Sequence, residues 1–179
     1  MLKHVLTGSL ALLAFIAAPA GAKEASAAAP PNPPELEELA FFKGHWQCAG
    51  RIWYCESPSG CATTGTTRIE EAIGGAWLHV TGDETMEGTP PQTFLFALYF
   101  GYDPRIKSFV AQGVASGGVY GRQYSKGWNG DTFVLSPDKY LGRDTFVRKG
   151  PDEFAHIGDA KAKDGKWKKL QDEVCRRVP

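Results

Sequence analysis

Turn-forming dipeptides divide most of this chain into short runs, and that punctuation limits the fold more than any other feature. Gly74-Gly75, Asp103-Pro104, Asn129-Gly130, Gly150-Pro151 and Asp164-Gly165 separate runs such as TFLFALYFGY, SFVAQGVAS, RDTFVRKG and EFAHIGDA. Asn-Gly and Asp-Gly favour hairpin turns because their residues tolerate positive φ. One stretch alone has helical spacing: in PELEELAFFKG, Leu36, Leu39, Ala40 and Phe42 fall on one face and Gly44 ends the run. About ten strands with one short N-terminal helix predict an all-β antiparallel sandwich or barrel.

The run TFLFALYFGY separates those two architectures. Phe94, Phe96, Leu98 and Phe100 share one face, and Leu95, Ala97 and Tyr99 share the other. A two-sheet sandwich would leave one of these faces in water. Two apolar faces suit a barrel wall that lines an apolar lumen and is covered outside by a helix or by a partner subunit, as in a homodimer. Glycines inside GVASGGVYGRQ mark bends of a curling sheet. They do not form a phosphate loop, because no Lys-Ser/Thr closes the run and no helix follows.

The first 34 residues carry none of this pattern. Lys3 precedes an apolar run, and Ala20-Gly21-Ala22 offers small residues for cleavage, so residues 1–22 read as a secretory signal peptide. Gly8, Ser9 and Pro19 interrupt that run, which argues against a membrane anchor, and no cysteine follows the cleavage site to take a lipid. Residues 23–34 (KEASAAAPPNPP) read as an Ala/Pro-rich linker. The folded domain is expected over residues 35–179, without a further transmembrane segment, in the periplasm or outside the cell. After cleavage 19 Lys and Arg face 20 Asp and Glu, a net charge of −1 that offers nothing to nucleic acid.

Four cysteines in an exported chain point to disulfides, and four allow three pairings. Cys55 and Cys61 flank the turn ESPSG, which favours a local bridge. Cys48 and Cys175 are then left in the first and last strands, which meet if the sheet closes. His45, Cys48, Cys55 and Cys61 lack the paired Cys knuckles of a zinc site, and Cys-x-x-Cys is missing. No metal is expected. No Gly-x-Ser-x-Gly elbow accompanies the histidines, and no catalytic residue is assigned.

LAFFKGHWQCAG resembles the opening of lipocalin-like (calycin) barrels, in which a helical turn leads to Gly-x-Trp on the first strand. The resemblance implies a barrel floor built from Gly44 and Trp46, with a basic residue of the last strand, Arg176 or its neighbour Arg177, stacked over the indole. Gly74-Gly75-Ala76-Trp77, Gly101-Tyr102-Asp103 and Trp128-Asn129-Gly130-Asp131 extend the likeness to bacterial exported barrels of a domain family of unknown function. That family brings no reaction with it. A more distant resemblance is to nitrobindin-like barrels, which bind haem through a histidine near the C-terminal end. His156 is the one residue placed to do so, although DEFAHIGDAK departs from that family's pattern.

The expected function is binding of a small apolar or amphipathic molecule in the barrel lumen. Trp77, His79, Phe96, Tyr99, Tyr120, Tyr124, Arg143 and His156 are the candidate contacts. They assume strand phases that a one-residue slip would invert. In WLHVTGDETM, Trp77, His79, Thr81 and Asp83 share a face, and Glu84 falls on the other with Leu78, Val80 and Met86. The alternatives are a barrel isomerase, lyase or hydrolase with converging polar groups, and a structural protein with a filled barrel.

Overall fold

A computed structural model of the protein describes residues 31–137 and 142–179. The predicted signal peptide and most of the predicted linker lie outside the described residues. A 3-10 helix, Pro34–Phe42, leads into β1 (Gly44–Ile52), β2 (Cys61–Ala72), β3 (Trp77–Met86), β4 (Gln92–Asp103), β5 (Ser108–Ala115) and β6 (Val119–Ser125). Then come β7 (Trp128–Asn129), β8 (Thr132–Leu135), β9 (Gly142–Gly150), β10 (Glu153–Lys161) and β11 (Trp167–Val178). The expected helix and ten strands are present, and the eleventh strand is the two-residue β7 of the Asn129-Gly130 hairpin.

All strands form one curled antiparallel sheet in the order β6-β5-β4-β3-β2-β1-β11-β10-β9-β8-β7. Every neighbour in that order is also a neighbour in the chain except β1 and β11. Their register sets Cys48 opposite Cys175, and a disulfide joins them. Cys55 bonds Cys61 across the ESPSG turn. The sheet curls until its ends touch at one bridge, where Tyr124 and Ser136 exchange two backbone hydrogen bonds of 2.9 Å.

One end of the curled sheet is plugged by aromatic rings. The 3-10 helix drives Leu39 and Phe42 inward, where they meet Trp46, Phe100, Phe109, Phe133 and Phe154. Trp46 Nε1 donates to the Phe42 carbonyl at 2.7 Å, so the indole is fully buried with its polar atom satisfied. Trp128 stacks on Phe42 at 5.4 Å and donates to the Glu38 carbonyl at 2.8 Å. The Arg148 guanidinium lies 3.6 Å from the Trp128 ring centre.

The basic residue over Trp46 is Arg177, not Arg176. Side chains alternate along a strand, so Arg177 follows Cys175 inward and Arg176 turns outward to Glu153 at 2.8 Å. The Arg177 guanidinium sits 4.2 Å from the Trp46 ring centre and donates to the carbonyls of Phe41 (3.0 Å) and Lys43. Gly44 is required beneath it. Its φ is +118°, and a Cβ there would come 2.5 Å from Arg177 Nη1. Arg177→Ala is expected to cost about 2–3 kcal/mol, by losing the ring contact and leaving two part-buried carbonyls without their donor. Arg176→Ala should stay within about 0.5 kcal/mol, as an exposed ion pair does. Urea unfolding of the two variants checks this, and equal losses would restore Arg176 to the floor.

Both faces of β4 are apolar, but they have different fates. Phe96, Leu98 and Phe100 face the interior. On the outer face Leu95 is 60% exposed, and across it Val114 and Tyr120 are also exposed. No described residue supplies the cover expected there. Trp77 lies on that outer face against Gly101, where a Cβ would fall 2.6 Å from the indole.

Candidate functional site

Above the aromatic floor the curled sheet encloses an inner chamber of about 280 Å³. A wider outer space of about 530 Å³ adjoins it between β6 and β9. Phe96, Leu98, Ala111, Gln123, Asp144 and Gln171 line both, so the two make one cup. Its apolar wall comes from β4 and β9, where Phe96, Leu98, Phe100 and Phe146 point inward.

A polar network crosses the chamber, assembled from six strands. Thr63 Oγ1 on β2 donates to Glu84 Oε1 on β3 at 2.9 Å. Gln171 Nε2 on β11 donates to Glu173 Oε2 at 2.9 Å and reaches both Glu84 oxygens at 3.3 Å. His156 on β10 is the register partner of Glu173, and its Nδ1 lies 3.5 Å from Glu173 Oε2. On its other side His156 Nε2 lies 3.1 Å from Asp144 Oδ1 on β9. Gln123 Nε2 on β6 donates to Asp144 Oδ2. The Phe146 ring stacks on His156 at 4.8 Å and holds the imidazole plane.

Burial and pairing set the charge of these groups. Burial alone would push His156 down, yet its hydrogen bonds to Asp144 and Glu173, and their charges, raise it from 6.5 to about 9. Burial would raise Asp144, but the hydrogen bond and charge of His156 together with Gln123 bring it below 3.8. Glu84 is raised above 4.5, first by burial and then by the nearby Glu173. Tyr54, on the outer space, is pushed up to about 12 by burial and by Glu84, Glu173 and Asp144.

A testable pH dependence follows. A folded-state pKa above the unfolded value means that the native protein holds the proton more tightly. The His156 contribution is complete below pH 6.5 and is lost as pH rises through about 9. One unit is worth about 1.4 kcal/mol, so the loss is of the order of 3 kcal/mol. Thermal unfolding between pH 6 and pH 10 should therefore show a decline in the wild type that His156→Gln lacks. Parallel profiles would refute the pairing.

Two of the eight expected ligand contacts, Phe96 and His156, stand in the inner chamber. Tyr120 and Arg143 line the outer space, where Arg143 pairs with Asp159 at 3.0 Å. Trp77, His79, Tyr99 and Tyr124 fall on the outside of the wall, and His79 stacks there on Tyr99 at 5.1 Å. The phase assumed for β3 and β6 was one residue off. On β3, Leu78 and Val80 are the buried positions, so Trp77 and His79 turn outward. His45 is likewise exposed. Asp144, Glu173, Gln171, Gln123 and Thr63 had not been singled out. Glu84 carried the readable signal, as the one charged residue in phase with Leu78, Val80 and Met86.

Haem through His156 does not fit these residues. An iron ligand needs a neutral imidazole with a free nitrogen, and both nitrogens here face carboxylates. Cys48, Glu173 and Cys175 offer atoms within 4.8 Å of one another. The two sulfurs are bonded to each other, so neither is a thiolate able to bind a metal.

Among the described residues, no helix is long and apolar enough to cross a membrane. No curated protein matches this sequence. The crystal structure of Rv2717c from M. tuberculosis is similar, with a TM-score of 0.55 and 13% sequence identity over 83% of this chain and 100% of that one. At that identity the likeness is one of fold. Residues 33–177 match DUF1579, a family described as protein of unknown function. Because the match runs from the 3-10 helix into β11, taking in the floor and the whole polar network, the chain belongs to the DUF1579 family.

Proposed function

We propose that the cup binds a small amphipathic molecule, in the manner of lipocalin-like barrels. Its apolar body rests on Phe96, Leu98, Phe100 and Phe146, and its polar end meets the network around His156. The supporting observation is the chamber of about 280 Å³, which joins an apolar wall to a few convergent polar groups. Export to the periplasm or the cell exterior belongs to the same reading. The N-terminal sequence supports it, as do the two disulfides.

Native mass spectrometry of protein purified from its own host is expected to show a co-purifying small molecule. Leu98→Trp, which fills the chamber, should lose it while keeping its strand circular dichroism. Wild-type protein that carries no ligand and binds an apolar dye no better than Leu98→Trp would sink the proposal.

A second reading, an enzyme acting on the same kind of molecule, draws on Glu84. A carboxyl pushed up by burial beside a second carboxylate is an arrangement suited to general acid–base catalysis. Turnover of the bound molecule that disappears in Glu84→Gln, with binding retained, is its test.

A further inference from the structure

The polar end of the cup holds more acid than its own groups neutralise. Glu84, Asp144 and Glu173 line the inner chamber, and His156 is the one basic side chain among its lining residues. At the outer space Arg143 is paired with Asp159, and Arg122 lies exposed at the rim, where it donates to Gln112. Asp144 is satisfied by His156 and Gln123. Glu84 accepts from Thr63 and Gln171.

Glu173 is different. The residue is 4% exposed. Its Oε2 accepts from Gln171 and faces His156, while its Oε1 is buried without a hydrogen-bond partner. A buried carboxylate oxygen left unpaired costs about 1–3 kcal/mol or more, so native proteins seldom keep one without a use.

We infer that the polar end of the ligand is a protonated amine, donating to Glu173 Oε1 with Glu84 beside it. This rests on the binding reading above and names its chemical class. An amine supplies both the missing donor and the missing positive charge. An alcohol supplies only the donor, and a carboxylate would enter against three acids. A shared metal ion fits less well. Among the described residues, Glu84, Asp144 and Glu173 do not approach closely enough together to form one ligand set.

Isothermal titration of the full chain at neutral pH with hexylammonium, hexanol and hexanoate tests the assignment. Hexylammonium should bind about tenfold or more tightly than hexanol, in keeping with a charge-assisted hydrogen bond. Hexanoate should bind weakest. Glu173→Gln should bring the amine to within about threefold of the alcohol. If Glu173→Gln does not fold, Glu84→Gln should show a reduced preference in the same direction. Hexanoate binding as tightly as hexylammonium, or a preference unchanged in the variants, would overturn the amine while leaving the cup a binder. Failure of all three probes, hexanol included, would count against the cup itself.

Discussion

Replacing Cys48 and Cys175 together by alanine is expected to lower the stability of the oxidised protein by about 5 kcal/mol. The bridge closes a sequence separation of 127 residues, and the entropy it removes from the unfolded chain grows with the logarithm of that span. It also lies at the β1–β11 junction, the one strand pairing among the described residues that joins distant parts of the chain. Cys55→Ala with Cys61→Ala opens a separation of only 6 and should cost about 2 kcal/mol. Denaturant unfolding of both double variants, with and without reductant, measures the contrast. Equal losses would show that chain closure is not the main effect. Cys175 also borders the chamber, two residues from Glu173.

Trp46→Ala should cost roughly 3–5 kcal/mol, the range for deleting a large buried aromatic side chain. Trp46 is 1% exposed, meets Phe154 at a ring distance of 4.7 Å and carries Arg177 on its face. The substitution leaves a cavity beneath the chamber and frees the Phe42 carbonyl and the Arg177 guanidinium together. Trp53, also an indole but 36% exposed, should cost no more than about 1 kcal/mol when changed to alanine. Urea midpoints for the two variants decide the matter. A similar loss at both positions would mean that the floor does not concentrate stability.

Much of the fold was legible in the residues because turns and alternation are local. Gly74-Gly75 adopts φ values of 64° and 81°, as a tight connection between β2 and β3 needs. Asn129-Gly130 makes the β7–β8 hairpin, and Asp164-Gly165 the turn before β11. Even the disulfide pairing could be reached, because a local turn takes two cysteines and leaves the other two. The site was less legible. Of the expected contacts, His156 and Phe96 line the inner chamber. Asp144 was passed over for its neighbour Arg143, and on β3 His79 was preferred to Glu84, which lies on the opposite face of that strand.

Sequence by itself determined the class of fold, the turns, the Gly44–Trp46 floor and the family. Each of these depends on residues close together in the chain or on types with a narrow range of conformations. Only the tertiary structure decided that Glu84, Asp144, His156 and Glu173 share one chamber and that Arg177 rather than Arg176 closes the floor. A side chain's face follows from the register between paired strands, and shifting that register by one residue exchanges inside for outside. At β1 and β11 the pairing spans nearly the whole folded chain, so no local pattern near either strand fixes it.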